Sequence, residues 1–230
     1  MKSAAIFDLD GTLVDRGLAY FSAERDTLAH FGYEGLTAAD HSLLTGMGTK
    51  EMWEEITVTR GMDVSPAELL ECSNRFYLRR VREGVRVFSE VVELARLLRD
   101  AGFAIAVASG SSQEVIQIVL SCAGLDDLFP ARVSAEEVQQ GKSEPFVFLE
   151  ASRLLSVEPD RCSVVEDASV GVEAGLRAGM RCVAATAAAA LTHPRSACAG
   201  QLLLAEREIL DARAVLRWIA QRSRPSEHDG

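Results

Sequence analysis

Four short stretches of this chain carry residues able to do chemistry. Asp8 and Asp10 stand two apart at the end of an apolar run, Ala4-Ala5-Ile6-Phe7. In an extended strand that spacing points both carboxylates the same way, off the C-terminal edge of a sheet. Gly11 follows and lets the chain turn tightly, so that backbone N–H groups can face an anion. Ser109-Gly110-Ser111-Ser112 joins a second apolar run to a helical pattern. Hydroxyls, amides and a helix N-terminus together suit a phosphate, while Ser111 or Ser112 would serve equally as a plain helix cap. Lys142, within Gly141-Lys142-Ser143-Glu144-Pro145, precedes a helix that begins near Pro145. Taken alone it reads as an ordinary solvated lysine. Glu166 and Asp167 close a third run, Cys162-Ser163-Val164-Val165. Two or three carboxylates facing one point call for a hard cation such as Mg²⁺, although Asp167 could instead cap the helix after it.

The elements that must position these groups are legible from residue 88 onward. Short β-rich runs, at residues 103–108, 162–165 and 181–185, alternate with helical patterns at residues 114–122 and 168–178. Strand and helix in repetition imply an α/β fold with a parallel sheet and helices on both faces. The Ala4-Ala5-Ile6-Phe7 run fits a central strand buried on both sides. Residues 15–83 hold no convincing strand and show helical segments at 18–31, 50–60 and 66–81. Ser65 before Pro66, with Glu68 behind, marks a helix start. The expected organisation is therefore a core from residues 1–14 and 84–230 with a helical module, residues 15–83, inserted after the first strand.

Composition narrows the partners. The 230 residues carry 24 Lys+Arg against 34 Asp+Glu, a formal net charge of −10. That is opposite to the footprint of a nucleic-acid binder and unsuited to an acidic membrane surface. The alanine-rich stretch at residues 183–191 falls short of the roughly 20 apolar residues that span a bilayer, and reads as a strand end followed by a helix. Asp8 interrupts what would be the apolar region of an export signal. Five scattered cysteines, Cys72, Cys122, Cys162, Cys182 and Cys198, form no C-x-x-C pair. They read as thiols in a reducing cytoplasm rather than as disulfides or zinc ligands. The polar tail at residues 225–230 has nothing to dock it, and nothing marks an obligate interface, so a monomer is expected.

Taken together, Ile6-Phe7-Asp8-Leu9-Asp10-Gly11-Thr12-Leu13, the serine cluster, Lys142 and Val165-Glu166-Asp167-Ala168-Ser169-Val170-Gly171-Val172-Glu173-Ala174-Gly175 resemble the four motifs of the haloacid dehalogenase superfamily, in family order over residues 6–184. The last string and the place of the insertion resemble the branch holding beta-phosphoglucomutase and small sugar-phosphate or phosphoglycolate phosphatases. The resemblance implies a Rossmann-like core, a mobile helical cap and Mg²⁺-dependent phosphoryl transfer through an aspartyl-phosphate. By the same match Asp8 attacks phosphorus, and Asp10 protonates the departing alkoxide and later deprotonates water. Gly11, Thr12, Ser109, Gly110, Ser111 and Lys142 hold the phosphoryl group. The metal falls to the Asp8 carboxylate, the Asp10 carbonyl and Asp167, with Glu166 a direct or outer ligand.

The presence of Asp10 favours phosphate esters, since the dehalogenating and phosphonate-cleaving relatives lack it. Beta-phosphoglucomutase carries a histidine ten residues beyond that aspartate and an arginine shortly after a glycine of its cap. This chain has Tyr20 at the first place and Thr49 followed by Lys50 at the second. A phosphatase of a small phosphorylated metabolite is expected ahead of a mutase, with Gly46 and Lys50 as cap residues meeting the leaving group. Lys50 also reads as a solvated lysine in a first helical turn. The third alternative, a catalytically silent binding protein, would fit better had Asp8, Asp10, Lys142 or Asp167 been lost. The Arg75, Arg79, Arg80, Arg82 and Arg86 group reads as a solvated face paired with Glu71, Glu83 and other acids. Trp53, Phe76 and Tyr77 should pack inside the insertion.

Overall fold

The computed structural model describes residues 2–44, 49–135, 138, 144–187 and 201–221. Lys142, Gly46, Cys198, the tail at 225–230 and residues 188–191 of the alanine-rich stretch lie outside the described residues, and so outside the structural account.

Six parallel strands form one sheet in the order β5-β4-β1-β6-β7-β8. They are β1 (Ala4–Phe7), β4 (Ala104–Ser109), β5 (Ala131–Ser134), β6 (Cys162–Glu166), β7 (Arg181–Thr186) and β8 (Leu202–Glu206). Every residue of β1 is fully buried, and its alternation sends Ala5 and Phe7 to one face and Ala4 and Ile6 to the other. The first face is covered by α5 (Ser89–Asp100), α6 (Gln113–Cys122) and α9 (Ala212–Ala220), through residues such as Val91, Val119 and Val215. The second is covered by α7 (Phe146–Leu155) and α8 (Ser169–Arg177), through Phe148, Val172 and Ala174. From β1 the chain goes outward on one side through β4 and β5, then returns to the other through β6, β7 and β8. The crevice where this direction reverses lies at the C-terminal ends of β1, β4 and β6, the place where open parallel sheets bind ligands.

Between β1 and β4 a short antiparallel ribbon frames the insertion. In it β2 (Val14–Asp15) pairs with β3 (Arg86–Val87), and an Arg86 to Asp15 ion pair of 3.4 Å adds to the pairing. Four helices lie between the two ribbon strands: α1 (Gly17–His30), α2 (Ala38–Leu44), α3 (Thr49–Arg60) and α4 (Pro66–Glu83). The expected start of α4 is realised in full. The Ser65 hydroxyl accepts from the Glu68 amide while the Glu68 carboxylate accepts from the Ser65 amide, with Pro66 at the first helical position. Trp53 packs with Leu28, Met52, Ile56 and Leu69 inside the insertion, as expected. Tyr77 does not. It joins Leu78, Val81 and Tyr20 in the larger cluster that continues to Phe7 and Leu13 of the core, because that face of α4 looks toward the sheet. The arginine face pairs with acids, as expected, though on neighbouring elements. Arg79 and Arg80 pair with Asp26 on α1, and Arg86 with Asp15.

Buried Arg181 ties the last helix to the sheet. Its guanidinium lies 3.6 Å from the centroid of the Trp218 ring and donates to the carbonyls of Trp218 and Ile219 at the end of α9. Arg181→Ala leaves those carbonyls without a donor, and should cost about 2–3 kcal/mol of unfolding free energy. A urea midpoint unchanged from the parent protein would remove α9 from the cooperative unit.

Candidate functional site

At the end of β1 the ladder continues one residue further, with the Asp8 amide donating to Val165 at 2.9 Å. The strand period then stops. Gly11 adopts φ +89°, and Gly11, Leu13 and Val14 fold back in hydrogen bonds to Val14 and Leu9. The two aspartates consequently serve different neighbours, rather than one shared direction. Asp8, fully buried, comes together with Glu166 and Asp167 from the end of β6, their carboxylate oxygens within 4.8 Å of one another. Asp10 turns to the end of β4, where Ser111 Oγ donates to Asp10 Oδ2 at 2.7 Å and Ser109 Oγ at 3.3 Å.

The oxygen-only trio of Asp8, Glu166 and Asp167 matches the donor chemistry of a hard divalent cation. Two glycines keep it compact. A side chain at Gly11 would put Cβ 2.4 Å from Asp167 Oδ2, and one at Gly171 would put it 2.2 Å from Glu166 Oε1. Thr12, also fully buried, donates to Asp167 Oδ1 at 3.2 Å. Asp167 is not the cap of α8: that place belongs to Ala168, which has no side-chain cap, while its amide donates to Glu166 Oε2 at 2.5 Å. Of the two uses expected of the serine cluster, the helix cap is seen directly. Ser112 caps α6 by accepting from the Val115 amide, and Ser111 is left to reach Asp10. Gly110 stands exposed between Ser109 and Ser111.

Two arginines missed in the sequence complete the arrangement. Arg16, between β2 and α1, brings Nη1 to 3.6 Å from Asp10 Oδ2 and sets its guanidinium 4.9 Å from the centroid of Tyr20. Burial would lower its pKa, but Asp10, Tyr20, Asp8 and Asp167 more than offset that and raise it. Tyr20, with its ring 4.1 Å from Tyr77, is pushed up to about 12 by burial and then by the charge of Asp10, so both rings stand as neutral phenols beside that carboxylate. Arg207, after β8, donates to the Gly11 carbonyl and lies 3.9 Å from Asp167 Oδ2. An arginine amid several acids of the first strand's loop was the available signal for Arg16; Arg207 had none, lying 40 residues beyond Asp167. Lys50 is not drawn in. It sits exposed in the first turn of α3, 3.9 Å from Glu54.

Comparison with known proteins agrees with this geometry. A family model described as haloacid dehalogenase-like hydrolase matches residues 5–185. Hexitol phosphatase B of Escherichia coli (strain K12) is 30% identical over 195 residues, 84% of this chain and 87% of that one. The crystal structure of CbbY from Rhodobacter sphaeroides in complex with phosphate superposes with a TM-score of 0.76 at 25% identity, covering 88% of this chain and 94% of that one. A beta-phosphoglucomutase structure from Clostridium difficile shares the fold, with a TM-score of 0.78 at 22% identity over 97% of this chain and all of that one.

Proposed function

The chain belongs to the haloacid dehalogenase-like hydrolase family, and from that premise we propose that it is a Mg²⁺-dependent phosphatase of a small phosphorylated metabolite, a sugar or hexitol phosphate or a close analogue. The observation that carries the reading is the division of labour between the two aspartates. One lies in a buried carboxylate trio fit for a cation, and the other is held by two hydroxyls one loop away. Hexitol phosphatase B supports the monoester and the polyol leaving group.

Asp8, Glu166 and Asp167 would hold the cation, which when bound offsets charge on the phosphoryl oxygens. Asp8 attacks phosphorus in line, and an aspartyl-phosphate forms as the bond to the leaving oxygen breaks. Asp10 delivers a proton to that oxygen, then removes one from the water that hydrolyses the acyl phosphate. Ser109, Ser111, Thr12, Gly11 and Gly110 surround the phosphoryl group with hydroxyls and amides, and Lys142 supplies a positive charge there. The four helices between β2 and β3 act as a cap over residues 15–83. Arg16, just ahead of α1, already pairs with Asp10, and Tyr20 of α1 and Tyr77 of α4 lie within the influence of its charge. Tyr20, packed at a tilt against Tyr77, puts a phenol in place of the imidazole that would couple cap closure to Asp10, which favours hydrolysis over isomerisation. The substrate is a free metabolite, with neither nucleic acid nor membrane involved, and the chain works as a cytoplasmic monomer. Among the described residues no helix is long and apolar enough to cross a membrane.

The test is release of phosphate from a panel of hexose and hexitol phosphates with Mg²⁺ and after chelation. Turnover that survives chelation, or conversion of beta-glucose 1-phosphate to glucose 6-phosphate as the main outcome with a bisphosphate primer, would reverse the reading. A second prediction isolates Asp10. An alkoxide needs protonation on leaving, whereas a nitrophenolate does not, so Asp10→Asn should lower turnover of sugar phosphates by about 10²–10⁴-fold. With p-nitrophenyl phosphate the same variant should give a stoichiometric burst and then stall, because the acyl phosphate still needs a base. Equal losses without a burst would place Asp10 outside proton transfer.

A further inference from the structure

Arg207 meets groups from three distant parts of the chain, and its neighbour Glu208. Its guanidinium carbon lies 3.7 Å from the centroid of the Phe88 ring. Nη1 donates to the Gly11 carbonyl and stands 3.9 Å from Asp167 Oδ2, while Nη2 pairs with Glu208 at 2.8 Å. The side chain is only 13% exposed. The three distant contacts belong to segments that shape the site. Gly11 is the turn after the two aspartates. Asp167 ends β6, and Phe88, whose amide donates to Leu13, begins α5 where the chain returns from the insertion.

Asp167 is thereby flanked on both sides, by the Thr12 hydroxyl donating to Oδ1 and by the Arg207 charge at ion-pair distance, 3.9 Å, from Oδ2. An unrestrained carboxylate beside the glycine turn would sample several rotamers, and a cation would have to order it. A planar guanidinium on a ring is suited to fix it in advance, because the ring sets the plane, Nη2 is tied to Glu208, and Nη1 is thereby aimed at the Gly11 carbonyl and the Asp167 carboxylate together. Its charge acts the other way, since a cation near Asp167 competes with the metal for the same carboxylate. The two effects have opposite signs, which makes the role measurable.

We propose that Arg207 is a positioning residue that orients Asp167 and the Gly11 turn for metal binding from outside the four sequence motifs. This rests on the Mg²⁺ site of the proposed function. The experiment is calorimetric titration of Mg²⁺ into the full-length chain without substrate, so that a missing turnover and a missing positioning effect are told apart. Arg207→Met should weaken Mg²⁺ binding by about tenfold or more, within the range seen when partners of metal ligands are removed. Arg207→Lys keeps the charge but loses the planar fork, and should weaken it nearly as much. Phe88→Leu, which keeps the arginine and removes its platform, should give a smaller loss in the same direction and covers the case in which the Met variant does not fold. Affinity equal to or tighter than the parent in Arg207→Met, or full rescue by lysine, would overturn the proposal in favour of a charge or packing role. Failure of the parent chain to bind Mg²⁺ would overturn it together with the reading beneath it.

Discussion

Asp8→Asn should leave a folded chain whose turnover of phosphate monoesters falls by about 10⁴-fold or more, as expected when a covalent nucleophile is removed from a constellation that acts as a unit. The substitution is isosteric and the site is fully buried, so steric damage is small. An amide is neither charged nor a competent nucleophile at phosphorus. The stability readout separates this from misfolding. Asp8, Glu166 and Asp167 crowd their oxygens within 4.8 Å, and like charges at that separation repel one another unless a cation lies between them. Replacing one carboxylate should therefore keep or raise the thermal midpoint without Mg²⁺, and shrink the stabilisation that Mg²⁺ adds. Turnover persisting in the variant, or a lowered midpoint with the Mg²⁺ response intact, would remove Asp8 from its place at the centre of the site.

Gly171→Ala gives the second large effect, and helix propensity alone predicts the wrong sign for it. Within α8, alanine is favoured over glycine by about 1 kcal/mol. The added Cβ, however, falls 2.2 Å from Glu166 Oε1, and that side chain is fully buried and held by the Ala168 amide. Glu166 must then swing away from Asp8 and Asp167. Mg²⁺ affinity should drop by about 10–100-fold, with a corresponding rise in the Mg²⁺ concentration needed for activity. The coupling is checked by a double-mutant cycle. On a Glu166→Ala background the space is open, so Gly171→Ala should there be neutral for Mg²⁺ binding and slightly stabilising. An unaltered Mg²⁺ requirement in the single variant would show that Glu166 plays no part at the cation.

Much of the architecture was legible because the patterns are local. β1, β4, β6 and β7 are short apolar runs that end in chemically loaded residues, and α4 announces itself with Ser65, Pro66 and Glu68. Besides α5 and α9, which were not singled out, the elements that escaped carry little pattern of their own and several owe their stability to pairing. β5 reads Ala-Arg-Val-Ser and exists because it pairs with β4. β8 is half-exposed at the sheet edge, beside β7. α2 has only seven residues, too few to show a period. The two-residue ribbon strands carry no pattern at all.

The site divides along the same line. Residue types and spacing, read with the family resemblance, pointed to Asp8, Asp10, the serine cluster, Glu166 and Asp167, and the structure brings these to neighbouring strand ends, because strand ends are written in the chain. Which carboxylate faces which neighbour was not. Asp8 joins Glu166 and Asp167, while Asp10 joins Ser109, Ser111 and Arg16, because the glycine turn breaks the strand period just where a two-residue spacing implied a common direction. Arg207 lies further still from any motif. Its place beside Gly11, Phe88 and Asp167 arises from long-range packing, which no local pattern of residues encodes.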